Sequence, residues 1–187
     1  MHDTVEHMVK RVLPDVPIRQ YVLSPPSELV GLLAARADAW SALSRIFVEA
    51  VSAGIRERSL RARGELHTGS LLFAQRFTKT LTCYPHLHLL ALDGGYTFSG
   101  EEAALFHPDR GPTKTELFTL TTRVGARFSG WLERHGYLDE DLAPRSDDGW
   151  WQAASREPSG LLREASQRER QPFEVHAAVR VAAGDER

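Results

Sequence analysis

The sequence predicts an α+β fold, a split-βαβ (ferredoxin-like) antiparallel sheet with helices on one face. Three observations predict it. Short β-rich segments and two long amphipathic patterns follow one another in the order β, α, β, β, α, β. Each long helical pattern carries a single apolar stripe, as a helix lying on one side of a sheet requires. The paired middle strands run into Asp93, Gly94 and Gly95, a tight-turn signal. In this topology the first and third strands lie at the sheet centre, which puts residues 85–92 in the middle.

The elements follow in order. Val5, Met8, Val9 and Val12 recur at helical spacing behind Asp3 and Thr4, which can cap, and Pro14 and Pro17 end this opening helix. Residues 18–23 (IRQYVL) read as the first core strand, stopped by Ser24, Pro25 and Pro26. Residues 27–36 form a short helix. In the longer helix that follows, Trp40, Leu43, Phe47, Ala50, Val51 and Ile55 trace the apolar stripe, and it ends in a basic stretch before Gly64.

Residues 70–77 (SLLFAQRF) and 85–92 (PHLHLLAL) are strands, and the chain is expected to return through residues 96–98 as a hairpin meander. Residues 101–112 read as a loop. Residues 113–135 are helical, with Leu117, Leu120, Val124, Phe128, Trp131 and Leu132 on one face and Gly136 as the stop. Residues 139–171 are polar and irregular around Trp150 and Trp151, and residues 173–181 (FEVHAAVRV) make the last strand.

Composition narrows the function classes without choosing one. With 187 residues, 42% hydrophobic and 26% charged, the chain can bury a core as one domain. Its apolar runs are far short of the roughly 20 residues of a membrane span, and no secretory h-region follows a basic start, so a soluble, cytoplasmic protein is expected. One cysteine, Cys83, excludes an internal disulfide and a multi-thiolate zinc site. Twenty-three basic against 25 acidic residues leave no global field for a polyanion, so any nucleic-acid contact rests on local patches and chemistry.

The chemistry concentrates at His86 and His88. On a strand, the period of two sends both imidazoles to one face with Leu87 on the other, and two neutral imidazoles so placed can bind one divalent ion. Alone, such a pair is as readily a half-solvated sheet surface. A water-activating hydrolase, with the pair recruiting a carboxylate such as Asp93, is a further alternative, although no general base stands at convincing spacing.

Residues 16–25 (VPIRQYVLSP), 73–77 (FAQRF), 86–94 (HLHLLALDG) and 173–185 (FEVHAAVRVAAGD) resemble, in order and spacing, the rolling-circle insertion-sequence transposases of the HUH (His-hydrophobic-His) class. The resemblance covers nearly the whole chain. It implies an HUH-type sheet and tyrosine-mediated cleavage and transfer of single-stranded DNA, with a 5′-phosphotyrosine and a free 3′-OH as products. It implies His86 and His88 as ligands of Mg²⁺ or Mn²⁺, completed by a third group: His176 on the last strand, Gln75 on the neighbouring strand, or a residue beyond this chain.

Two departures from the family lie at the ends, where the cysteine-rich zinc-binding region and the nucleophilic tyrosine segment are not matched. Tyr21, Tyr84, Tyr96 and Tyr137 do not stand where the nucleophile would, so the expectation is one HUH-like domain over residues 1–187, C-terminally incomplete, binding single-stranded DNA and metal without cleaving alone. A DNA-binding or interaction module without metal is the alternative. Arg76 and Lys79 beside the metal strand, and Arg56, Arg58, Arg61 and Arg63 at the helix end, are candidate phosphate contacts, the second group equally a solvated helix end. Trp150 and Trp151 read as loop anchors rather than base-stacking residues, and a small-molecule substrate is not expected.

Overall fold

The computed structural model describes residues 14–59, 65–77, 83–99, 103–137 and 173–182. The expected opening helix and the polar segment with Trp150 and Trp151 lie outside them. The first strand, β1 (Ile18–Ser24), stops at Pro25 and Pro26, where no backbone N–H is left to continue a ladder. A 3₁₀ turn (Ser27–Leu29) leads into the short α1 (Val30–Ala35) and then the long α2 (Ala37–Arg58). Three strands follow, β2 (Ser70–Phe77), β3 (Cys83–Leu92) and β4 (Gly94–Ser99), then β5 (Ala103–Pro108), α3 (Lys114–Arg134) and β6 (Glu174–Val181).

The fold is α+β. Its main sheet is antiparallel throughout, in the order β2-β3-β1-β6, so β1 and β3 are central and β2 and β6 are edges. On one face, Tyr21 and Leu23 of β1, Leu87, Leu89 and Ala91 of β3, and Val175 and Ala177 of β6 join the core. Leu43, Phe47, Val51 and Ile55 from α2 and Val124, Phe128 and Leu132 from α3 cover them. The intervening residues therefore form an open face, and it carries both histidines.

Helix α3 starts where its first turn is satisfied by side chains. Thr113 and Glu116 form a reciprocal capping box, the Thr113 N–H donating to Glu116 at 2.7 Å. Arg110 and this backbone contact hold the Glu116 carboxyl down at about 2. The helix ends at Gly136, whose φ of 72° is the left-handed conformation that favours glycine.

Two departures from the sequence expectation have physical causes. Strand β3 begins at Cys83, not residue 85, and the β2–β3 register shifts between Gln75 and Phe77. Pro85 sits in that irregularity, where a missing N–H costs least. More substantially, the chain after β3 does not return onto the sheet: β4 pairs with β5, built from residues that read as loop.

The turn is set by Asp93, which is 1% exposed. Arg19 donates to its two oxygens at 2.7 and 2.9 Å and Arg180 to Oδ2 at 2.6 Å, while its backbone N–H bonds Pro17 and its carbonyl accepts from Asp109. These bonds tie β1, β6 and the β4–β5 hairpin together and carry the chain away from β3. At Gly94 a Cβ would stand 2.2 Å from the His107 carbonyl oxygen, so the close β4–β5 approach excludes any side chain there. Asp109 is held in turn by Nε and Nη2 of Arg58, which donate to its Oδ2 at 2.8 and 2.6 Å.

Candidate functional site

Residues opposite one another in an antiparallel ladder share a face, and the register therefore lays out the open face in rows. One row runs Phe73, His88, Val22, His176, and the next places Gln75 beside His86. His86 and His88 stand on the same face of a central strand with ring centres 6.4 Å apart. Both are half-buried.

Each ring is held by β1 through the same nitrogen. The Gln20 amide lies 2.9 Å from Nδ1 of His88, and Ser24 Oγ lies 3.1 Å from Nδ1 of His86. Nδ1 being engaged in each, Nε2 is the nitrogen turned away from β1, and it can take a ligand where Nδ1 carries the ring proton. Burial, and secondarily the neighbouring His88, lower the His86 pKa, which favours the neutral imidazole that coordinates metals.

The donor type suits a divalent cation, and the spacing can be compared with that of two imidazoles sharing one. Two imidazoles on one ion hold their ring centres about 5 Å apart for metal–nitrogen bonds of roughly 2 Å. The 6.4 Å separation is longer than this, so the two rings would have to approach each other to share one ion. Among the described residues no group of three His, Cys, Asp or Glu side chains converges, so the pair needs a donor of another type or one from elsewhere.

Of the expected third ligands, Gln75 is directly opposite His86. His176 is not brought to the pair: β1 intervenes, two strand spacings amount to about 10 Å, and its Nε2 faces Glu174 at 3.7 Å. Asp93 lies five residues beyond His88, about 17 Å along a strand, and is saturated by Arg19 and Arg180, so it is not the carboxylate of a hydrolase site.

The basic candidates separate. Arg76 is exposed on β2, and strand alternation sends it to the face opposite Gln75. Arg56 is exposed, with Nε donating to the Leu66 carbonyl at 3.1 Å. The Arg58 side chain, only 7% exposed, turns inward to Asp109, so this part of the helix end is neither solvated nor free for a phosphate. Arg61, Arg63, Lys79 and the Cys83 side chain lie outside the described residues.

Tyr21 is buried beneath the sheet, Tyr96 lies in the β4–β5 hairpin, and Tyr137 donates to Asp38. Tyr84 packs edge-on against His86 with ring centres 4.5 Å apart. Gln20, Ser24 and the exposed Phe73, 45% accessible, are site residues that sequence reasoning missed. Their signal was the alternation of Gln20, Val22 and Ser24 on a strand expected to adjoin the histidine strand.

Among the described residues no helix is long and apolar enough to cross a membrane. No curated protein and no solved structure matches the chain. A family model, Y2_Tnp, described as "Putative transposase", matches residues 69–186, which include β2, the histidine strand and β6. The match spans well over half of the chain, and the protein accordingly belongs to the Y2_Tnp family of transposases.

Proposed function

We propose that the protein is a transposase domain of the HUH rolling-circle class, with a split-βαβ sheet whose open face receives single-stranded DNA beside a divalent metal on His86 and His88. The observation that carries this reading is the pair itself: two imidazoles on one face of a central strand, each with Nδ1 occupied by a β1 side chain. The transposase family match supplies the context of DNA chemistry.

His86, His88 and Gln75 are the groups that would hold Mg²⁺ or Mn²⁺, and imidazole nitrogen suits Mn²⁺ better than the harder Mg²⁺. The ion, when bound, would polarise the scissile phosphate. Phe73 beside His88 and Tyr84 on His86 offer exposed rings on which unpaired bases can stack. The four tyrosines are placed for packing or hydrogen bonding, so the chain is proposed to bind DNA without forming the covalent phosphotyrosine by itself.

A metal-free DNA-binding module is the second reading, favoured by the lack of a converging His, Cys, Asp or Glu triad among the described residues. Fluorescence anisotropy separates the two, with one labelled oligonucleotide presented single-stranded and as a duplex, in Mn²⁺ and in chelator. The HUH reading expects single-strand preference strengthened several-fold by Mn²⁺. Single-strand binding indifferent to metal selects the second reading, and equal or absent binding of both forms contradicts both.

A further inference from the structure

Strand β1 presents Gln20, Val22 and Ser24 to the open face, alongside the histidine strand. The two polar residues both reach Nδ1, although by different paths. The register partner of Gln20 is Leu90, so its amide crosses diagonally to His88. Ser24 lies one step past the Leu23–Leu87 pair and meets His86 straight across. Half-buried on a central strand, neither is needed to fill the core.

We propose that Ser24 and Gln20 are positioning residues for the tautomer in which both imidazoles carry the proton on Nδ1 and both Nε2 lone pairs are free for the cation, Ser24 as it stands and Gln20 with its carboxamide oxygen turned to the ring. This inference rests on the metal reading above. An imidazole whose Nδ1–H donates must accept, or coordinate, through Nε2. Ser24 Oγ can accept that proton directly. For Gln20 the carboxamide has two faces: in the structure its nitrogen is turned to His88, and that arrangement places the ring proton on Nε2. A half turn of the amide presents Oε1 instead, accepts Nδ1–H and frees Nε2. With the oxygen turned inward, Gln20 asks of His88 what Ser24 asks of His86, and that orientation is the one competent for metal.

The test is Mn²⁺ titration calorimetry on the full chain, paired with ¹⁵N NMR of the imidazole nitrogens without metal. Ser24→Ala and Gln20→Leu are expected to weaken Mn²⁺ binding by about 10- to 100-fold each, and Ser24→Thr to restore it. Gln20→Glu, whose carboxylate only accepts, is expected to make the Nδ1–H form the sole neutral tautomer of His88 and to bind at least as tightly as wild type. A merely structural role would not move the tautomer. Wild-type affinity in both Ser24→Ala and Gln20→Leu, or a neutral His88 in Gln20→Glu that carries its proton on Nε2, overturns the inference while leaving the metal reading intact. A wild-type chain that binds no Mn²⁺ overturns the metal reading and this inference with it.

Discussion

Gln75 on β2 is the register partner of His86 on β3, so their side chains leave the sheet next to each other on its open face. His176, by contrast, reaches the same face only across Val22. Gln75→Ala is therefore expected to weaken Mn²⁺ binding by about tenfold or more, the scale on which even a supporting group registers. His176→Ala should leave the affinity within about twofold. Calorimetry on both variants checks the order, and the reverse result would move the third ligand to β6.

Two ion pairs of similar appearance should differ widely in worth. Asp109 and Arg58 are buried, their side chains 0% and 7% exposed, and removing the carboxylate strands a guanidinium in the core. Asp109→Ala is expected to cost about 3–5 kcal/mol. Glu49 pairs with Arg127 at the exposed surface of α2 and α3, and Glu49→Ala should cost less than about 1 kcal/mol. Urea unfolding of the two variants measures the contrast, and equal losses would refute the assignment of Arg58 to the fold.

Tyr21 sets an alkaline limit on stability. Burial raises its pKa from 10.0 to about 12. Between these values the unfolded phenol has lost its proton and the folded one has kept it, so the stabilisation is complete below pH 10 and disappears as pH approaches 12. Absorbance titration of the phenolate should show one tyrosine ionising near pH 12, absent in Tyr21→Phe. That variant should also show a shallower fall of stability over the same interval.

Much of this architecture is readable from residues alone, for reasons that are local. The stripe from Leu117 to Leu132, the Thr113 cap and Gly136 bound α3 closely, and the alternation about Leu87 puts both histidines on one face. What escaped depends on distant partners. The β4–β5 hairpin forms because Arg19 and Arg180 capture Asp93 from 74 and 87 residues away, while residues 103–108 show little alternation of their own. Arg58 looked like a basic helix end until Asp109, 51 residues later, enclosed it. Gln20 and Ser24 could be assigned to the histidines only with the strand register, because a slip of one residue would send both to the core face.

The central claim is that His86 and His88 together hold a divalent cation, and the most direct measurement is Mn²⁺ titration calorimetry of the wild-type chain against the His86→Ala, His88→Ala double variant. Both rings lie on the half-solvated face, so the variant should keep its fold by circular dichroism. Saturable binding by the wild type, lost in the folded double variant, is the predicted result. Binding that survives the double substitution, or no binding by either chain, would contradict it.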